Sequence, residues 1–282
     1  IKHGAAPLVA DARRGLEELT VSLGDWQAPS AWSQRTRTLA DEWNKAVDQA
    51  TRPTNVPLPS DAQVLGAANR AAEPRDVVVC AAGGLPGELH KLWRTPAPGG
   101  YHLEYGYSCM GYEIAGGLGV KMADPSREVF VLVGDGSYLM MNSEIATSVL
   151  MGRKLIIVVL DNQGFGCINR LQRSVGGESF NNLFGSVRTD GELPGIDFAA
   201  HAASLGAISE KVVSIAELEA ALERAKAADR TYVVAIETDP VAATADGGAW
   251  WDVAVAEVSG RAEVRAAREA YVEATKAQRT GE

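Results

Sequence analysis

The stretch Val129-Phe-Val-Leu-Val-Gly-Asp-Gly-Ser137 decides the fold. Five apolar residues rich in β-branched side chains read as a buried strand, which ends at Gly134-Asp135-Gly136. A helix expected over Asn142–Met151 follows, then a Gly152-Arg-Lys turn, a second apolar run Leu155–Leu160, and Asp161-Asn-Gln-Gly164. Strand, helix and strand in this order form a right-handed crossover, so the two strands are parallel and their carboxyl ends share one sheet edge. Neighbouring strands lie about 5 Å apart, so Asp135 and Asn162 are expected to converge there. That edge is where open α/β proteins hold their ligands.

Working outward, Val77–Ala81 and Tyr232–Ile236 are further apolar runs, and Asp61–Ala72, Gly111–Ala123, Asp197–Leu205 and Ile215–Ala227 keep helical spacing. Short apolar runs alternating with helices predict an α/β fold, a parallel sheet covered by helices on both faces. Ahead of it, Leu8, Ala12, Leu16, Leu19 and Leu23 make one helical stripe, and Trp32, Thr36, Leu39, Trp43 and Val47 make another, read as core or interface packing. The proline-rich segment 51–60 reads as a linker. The expected organisation is therefore 1–50 as the end of a preceding domain, 51–60 as linker, 61–245 as the α/β domain and 246–282 as a helical tail.

Composition narrows the function classes. With 27 Lys and Arg against 36 Asp and Glu, the net charge of −9 would oppose a phosphate backbone, which argues against nucleic acid. The longest apolar runs fall far short of the roughly 20 residues of a membrane span, so no membrane partner is expected. Three cysteines without CxxC spacing favour neither a disulfide framework nor a zinc site, and a reducing cytoplasm fits them best. The first residue is Ile1 rather than Met, which leaves room for a longer parent chain.

Hard oxygen ligands at the sheet edge suit Mg²⁺, which prefers octahedral oxygen and borrows ligands from a substrate phosphate. Gly134 and Gly136 let the backbone come close to such a phosphate, and the amides of Gly136 and Ser137, with the Ser137 hydroxyl, can donate to it. Other phosphate loops fail on their letters. No GxxxxGK[ST] occurs, and in both Gly134-Asp-Gly136 and Gly117-Leu-Gly119 the third glycine of GxGxxG is replaced, by Leu139 and Met122.

Gly-Asp-Gly, an intervening stretch of this length and Asn after an apolar run together resemble the signature of the thiamine diphosphate enzymes. The resemblance implies Mg²⁺ held by Asp135, Asn162 and the backbone carbonyl of Gly164, bridging the cofactor's diphosphate. Gly106-Tyr-Ser-Cys-Met-Gly-Tyr112 looks like the family's segment upstream of Gly-Asp-Gly, with Met110 as the bulky prop that bends the cofactor and Ser108 and Met110 offering backbone groups to its aminopyrimidine. The loop Ala82-Gly83-Gly84-Leu85 matches the place where the backbone touches the far phosphate. Bending brings the cofactor's own amino group to the carbon it deprotonates.

Within the family, the runs Tyr101–Gly119 and Asp161–Gln172 are most similar to the hydrolases of inositol breakdown that open a trihydroxycyclohexane-1,2-dione ring. Synthase-like relatives read Met-Gly-Phe-Gly-Leu-Pro at the prop; here Glu113-Ile-Ala stands in place of Gly-Leu-Pro. The implied substrate is a small cyclic polyhydroxy dione, the implied assembly a homo-oligomer. An acetolactate-synthase-like carboligase, a 2-oxo acid decarboxylase, or an inert cofactor-binding fragment are the alternatives. The family's activating glutamate sits on an amino-terminal pyrimidine-binding domain, for which these letters show no counterpart; such a domain is an implied partner, with Glu104 and Glu113 the in-chain candidates for the acid.

A polyol dione needs hydrogen-bond donors and a proton shuttle, for which His90 and His102 are the catalytic candidates. Asn169 and Arg170 are candidates for holding substrate oxygens. Cys167 reads as a buried thiol and His201 as packing, while the Trp250-Trp251 pair is compatible with a cover over the site or with an interface.

Overall fold

The computed structural model describes residues 6–54, 58–187, 195–247 and 253–278. Two compact units appear: Ile1–Lys45 with Ala249–Glu282, and Ala46–Gly248. The boundaries thus fall inside a helix, ahead of the proline-rich segment, and close to the expected start of the tail. Trp250 and Trp251 lie outside the described residues.

The first unit holds α1 (Ala12–Leu23), most of α2 (Ser30–Ala50) and, near the carboxyl end, α11 (Ala262–Lys276). Asp11 caps α1 by accepting from the Arg14 amide. The apolar stripes of α1 and α2 do not form a core here: Leu16, Leu19, Trp32 and Leu39 are exposed, and of the α2 stripe only Val47 is buried. In α11 the Arg268 guanidinium lies 5.2 Å over the Tyr271 ring.

In the second unit come α3 (Asp61–Ala71), β1 (Val77–Cys80), α4 (Leu85–Leu92), β2 (Tyr101–Leu103), α5 (Tyr112–Ala123) and β3 (Val129–Gly134). They are followed by α6 (Asp135–Met140), α7 (Glu144–Leu150), β4 (Ile156–Asp161) and α8 (Gly166–Ser174). The chain continues through α9 (Phe198–Ser204), β5 (Ile208–Val212), α10 (Ile215–Ala227) and β6 (Tyr232–Glu237). All strand pairs are parallel, in the order β2-β1-β3-β4-β6-β5. The central strands β1, β3 and β4 are buried along both faces, which is why they read as continuous apolar runs.

One face packs Val77, Val131, Val133 and Ile157 against Ile114 and Leu118 of α5, with Tyr138, Ile145 and Phe198 in the same core. The opposite face is covered by α3, α4 and α10, which pack on one another. Each fully buried Phe, Ile or Leu here stabilises the fold by about 1.5–3 kcal/mol relative to an exposed one. Ser60 and Gln63 form a capping box that starts α3, the Ser60 amide donating to Gln63 Oε1 at 2.8 Å.

Two strands and one helix escape the sequence pattern. β2 is three partly exposed residues and β5 is Ile-Ser-Glu-Lys-Val; both are edge strands, so neither needs an apolar run. α4 follows a glycine loop and has only eight residues. The single helix expected over Asn142–Met151 is α7 alone, preceded by the separate short α6. At their junction Asn142 Nδ2 donates to the Tyr138 carbonyl at 3.2 Å, a side-chain bond that turns the chain.

The chain leaves β1 toward β2 on one side and returns to β3 on the other. That reversal places α4 and α5 on opposite faces and opens a crevice at the carboxyl ends of β1 and β3.

Candidate functional site

Four loops meet at this sheet edge. β3 and β4 are adjacent, with Gly134 opposite Leu160, so Asp135 and Asn162 stand at neighbouring strand ends as their spacing predicts. Asp135 is the first residue of α6 and is buried. Its Oδ2 accepts from the Gly164 amide at 2.9 Å and its Oδ1 from the Gly136 amide at 2.5 Å. Gly164 has φ +135°, and a Cβ there would fall 2.6 Å from the Asn182 carbonyl oxygen, so this turn requires glycine.

Asn162 Oδ1 is buried without a hydrogen-bond partner. A buried amide oxygen in that state costs about 1–3 kcal/mol unless something coordinates it. The side chain lies over Gly166, where a Cβ would come within 3.2 Å of its amide carbon. Asp161, to which the sequence reading assigned no role, is also buried and contacts Asp135. Burial raises the proton affinity of Asp135 and the Asp161 carboxyl adds to the rise, against the Gly164 and Gly136 amides. Two carboxyls and an unpartnered amide oxygen are a donor set that suits a hard cation. Among the described residues no group of three His, Cys, Asp or Glu could hold a metal. A cation here would draw on Asp135, the Asn162 amide, a backbone carbonyl and oxygens of a bound phosphate, and the residues fit that role.

At Gly136 a Cβ would meet the Phe165 ring at 2.6 Å. Gly134 has open space around it. Ser137 gives its hydroxyl proton to Glu113 Oε2 at 2.7 Å and accepts from the Gly111 amide at 2.7 Å, so its hydroxyl is not free to donate to a phosphate. The Gly136 amide is likewise turned to Asp135 Oδ1, which leaves the Ser137 backbone amide as the phosphate-facing candidate of this turn.

On the β1 side, Gly83 has φ +87° with nothing near a Cβ, and Gly84 precedes Leu85, the buried first residue of α4. The loop before α5 carries Ser108 and Met110. Ser108 has φ +50° and its hydroxyl donates to the Ala81 carbonyl at 3.4 Å, joining this loop to the end of β1. Met110 is half-buried. Glu104 accepts from the Tyr107 amide at 3.1 Å and the Cys109 amide at 2.7 Å, and these bonds hold its carboxyl below the usual range.

The two histidines are not brought together. Tyr101 and His102 are successive residues of β2 and point to opposite faces. His90 Nδ1 bonds Tyr101 Oη at 3.1 Å, whereas His102 Nε2 bonds Tyr112 Oη at 2.7 Å and stacks on that ring. Asn169 is buried with Oδ1 unpartnered. Arg170 donates from Nη1 to the Pro240 carbonyl at 2.9 Å, and its Nη2 lies 2.2 Å from where a Cβ on Gly84 would stand. Its charge acts on the buried Asp61 at the start of α3, whose carboxyl burial pushes up to about 6 while Arg170 pulls it down. Arg170 is thus tied into protein partners beside the glycine loop. Burial also raises the Cys167 thiol, which fits an inert thiol.

Residues 65–236 match the family model described as thiamine pyrophosphate enzyme, C-terminal TPP binding domain. The chain belongs to that family. Among relatives of this thiamine pyrophosphate enzyme domain, a 3D-(3,5/4)-trihydroxycyclohexane-1,2-dione hydrolase of Halalkalibacterium halodurans is 38% identical over 296 residues, which is 95% of this chain and 46% of the relative. The protein of that name from Bacillus licheniformis is 38% identical over 295 residues, again 95% of this chain and 46% of its own. The chain therefore spans about half the length of the curated relatives it matches. A thiamine diphosphate-dependent 4-hydroxybenzoylformate decarboxylase of Rhodococcus jostii RHA1 shares the fold, with TM-score 0.57 at 20% identity over 64% of this chain and 33% of that one. Among the described residues no helix is long and apolar enough to cross a membrane.

Proposed function

We propose that this chain is the cofactor-binding part of a thiamine diphosphate- and Mg²⁺-dependent hydrolase that opens the ring of a trihydroxycyclohexane-1,2-dione to a 5-deoxy-glucuronate in myo-inositol breakdown. The observation that carries the reading is the strand-end pair of Asp135 and Asn162, with its unpartnered amide oxygen, in a chain 38% identical to two hydrolases of that name.

In this reading Asp135, Asn162 and the Gly164 carbonyl hold Mg²⁺. The Ser137 amide and the Gly83-Gly84-Leu85 turn hold the diphosphate, Gly134 and Gly136 shape the turn beside it with the Gly136 amide on Asp135, and Met110 supports the bend between the cofactor's rings. Bound thiamine diphosphate supplies a nucleophilic carbon and an electron sink for cleavage of an adjacent C–C bond. The chain's own residues position that group and shield it from water. His90 or His102 carries a proton at the substrate, and Asn169 offers its unpartnered amide oxygen to a substrate hydroxyl. An amino-terminal pyrimidine-binding domain supplies the activating glutamate, because Glu104 and Glu113 are both spent on loop amides. The protein works in the cytoplasm as a homo-oligomer.

The test is a substrate comparison with the complete protein, Mg²⁺ and thiamine diphosphate. Loss of the dione's absorbance is expected at a rate far above any consumption of pyruvate, since buried donors left unpaired by a smaller substrate cost about 1–3 kcal/mol each. Faster conversion of pyruvate to acetolactate or acetaldehyde would overturn the hydrolase reading in favour of a carboligase or decarboxylase.

A further inference from the structure

Glu113 is a charged residue in an unusual place. It is the second residue of α5, only 1% exposed, in the middle of the cofactor edge. Besides its own amide, three groups from three different loops donate to its two oxygens. Oε1 accepts from the Ala82 amide at 3.3 Å, in the turn after β1. Oε2 accepts from the Gly111 amide at 3.1 Å, in the loop that carries Ser108 and Met110, and from the Ser137 hydroxyl at 2.7 Å, in the turn after β3. Gly111 and Ser137 are also joined directly at 2.7 Å, which closes a small network.

Among the described residues, Glu113 is the one side chain whose hydrogen bonds reach all three turns. β1 and β3 are neighbours, but the loop before α5 returns from the edge strand β2 and is held to the sheet edge through this carboxyl, the Gly111–Ser137 bond and the long Ser108 contact. Gly111 has φ +88° and a Cβ on it would lie 2.6 Å from Met141, so the loop has little freedom to seek another partner at that point. Losing this carboxyl leaves the buried Ala82 amide and Ser137 hydroxyl without their acceptor, while the Gly111 amide keeps Ser137 Oγ.

We infer that Glu113 is a positioning residue: its carboxyl sets the mutual placement of the three loops that face the thiamine diphosphate, without itself touching substrate. The inference rests on the reading of this edge as the cofactor site. It also gives a physical role to the replacement of the synthase-like Gly-Leu-Pro by Glu113-Ile-Ala.

The test uses the complete protein and the variant Glu113→Gln, whose amide can accept through only one oxygen. Hydrogen exchange without cofactor is expected to be at least tenfold faster at Ala82, with Val131 and Val158 in the central strands unchanged. The thiamine diphosphate concentration for half-maximal binding should rise at least tenfold, with kcat at saturating cofactor within about threefold of the parent. Parent-like exchange at Ala82 in Glu113→Gln would overturn the proposal. If that variant exchanges throughout the sheet, Glu113→Asp decides, since its shorter carboxylate keeps the charge without the reach: faster exchange at Ala82 with Val131 and Val158 unchanged supports the network, and unchanged Ala82 overturns it. A parent protein that fails to bind thiamine diphosphate would overturn the cofactor reading instead, and the exchange result would stand separately.

Discussion

The Gly164 amide donates to Asp135 Oδ2 at 2.9 Å, joining the turn after β4 to the turn after β3. One carboxylate therefore both offers itself to a cation and fixes the residue whose carbonyl is the third proposed ligand. This bond couples the proposed metal site to the loop conformation, and substitutions on either side of it should be felt at the other.

Asp135→Ala removes the proposed anionic ligand and the acceptor for the Gly164 amide. Mg²⁺-dependent thiamine diphosphate binding is expected to weaken by at least a hundredfold in calorimetry, with the far-ultraviolet dichroism of the sheet and helices retained. Unchanged affinity in this variant would contradict the metal assignment.

Gly164→Ala is expected to destabilise the protein by about 2 kcal/mol or more, because its φ of +135° is closed to alanine and the Asn182 carbonyl stands 2.6 Å from the new Cβ. Urea unfolding measures the loss, and cofactor affinity should fall with it. An alanine variant as stable as the parent would show that this turn has another conformation open to it.

Asp61 predicts a pH dependence with a definite sign. Its folded-state carboxyl is raised to about 6 by burial from an ordinary 3.8, so the folded protein binds the proton more tightly than the unfolded chain does. Stability from this group is therefore greatest below about pH 4 and declines as pH rises to about 6, by on the order of 3 kcal/mol. The difference in unfolding free energy between the parent and Asp61→Asn, followed by urea titration from pH 4 to 7, isolates this slope from that of other carboxyls. A difference that stays flat across this range would refute it.

His90 and His102 have separate tyrosine partners, on opposite faces of β2. Their effects on turnover should add, so a double-mutant cycle built from His90→Gln and His102→Gln is expected to give a coupling below about 0.5 kcal/mol in log kcat/KM. A larger coupling would mean that both imidazoles act on one substrate group.

What the letters alone determined is the middle of the sheet and the register of its chemistry. Val129–Val133 and Leu155–Leu160 had to be buried on both faces, because continuous β-branched runs have no polar face to give to water, and parallel pairing then placed Asp135 beside Asn162. The edge strands β2 and β5 carry no such run, since half-exposed strands tolerate His, Ser, Glu and Lys, and so they were invisible to the same argument. The partners of Glu113, Asp161 and Arg170 were decided only by tertiary structure. Glu113 meets Ala82 and Ser137, 31 and 24 residues away, and Arg170 meets Pro240, 70 residues away. Hydrogen bonds over such separations leave no periodic trace in sequence: they form only when strand order brings loops to one edge, and burial then makes each unpaired donor too costly to leave.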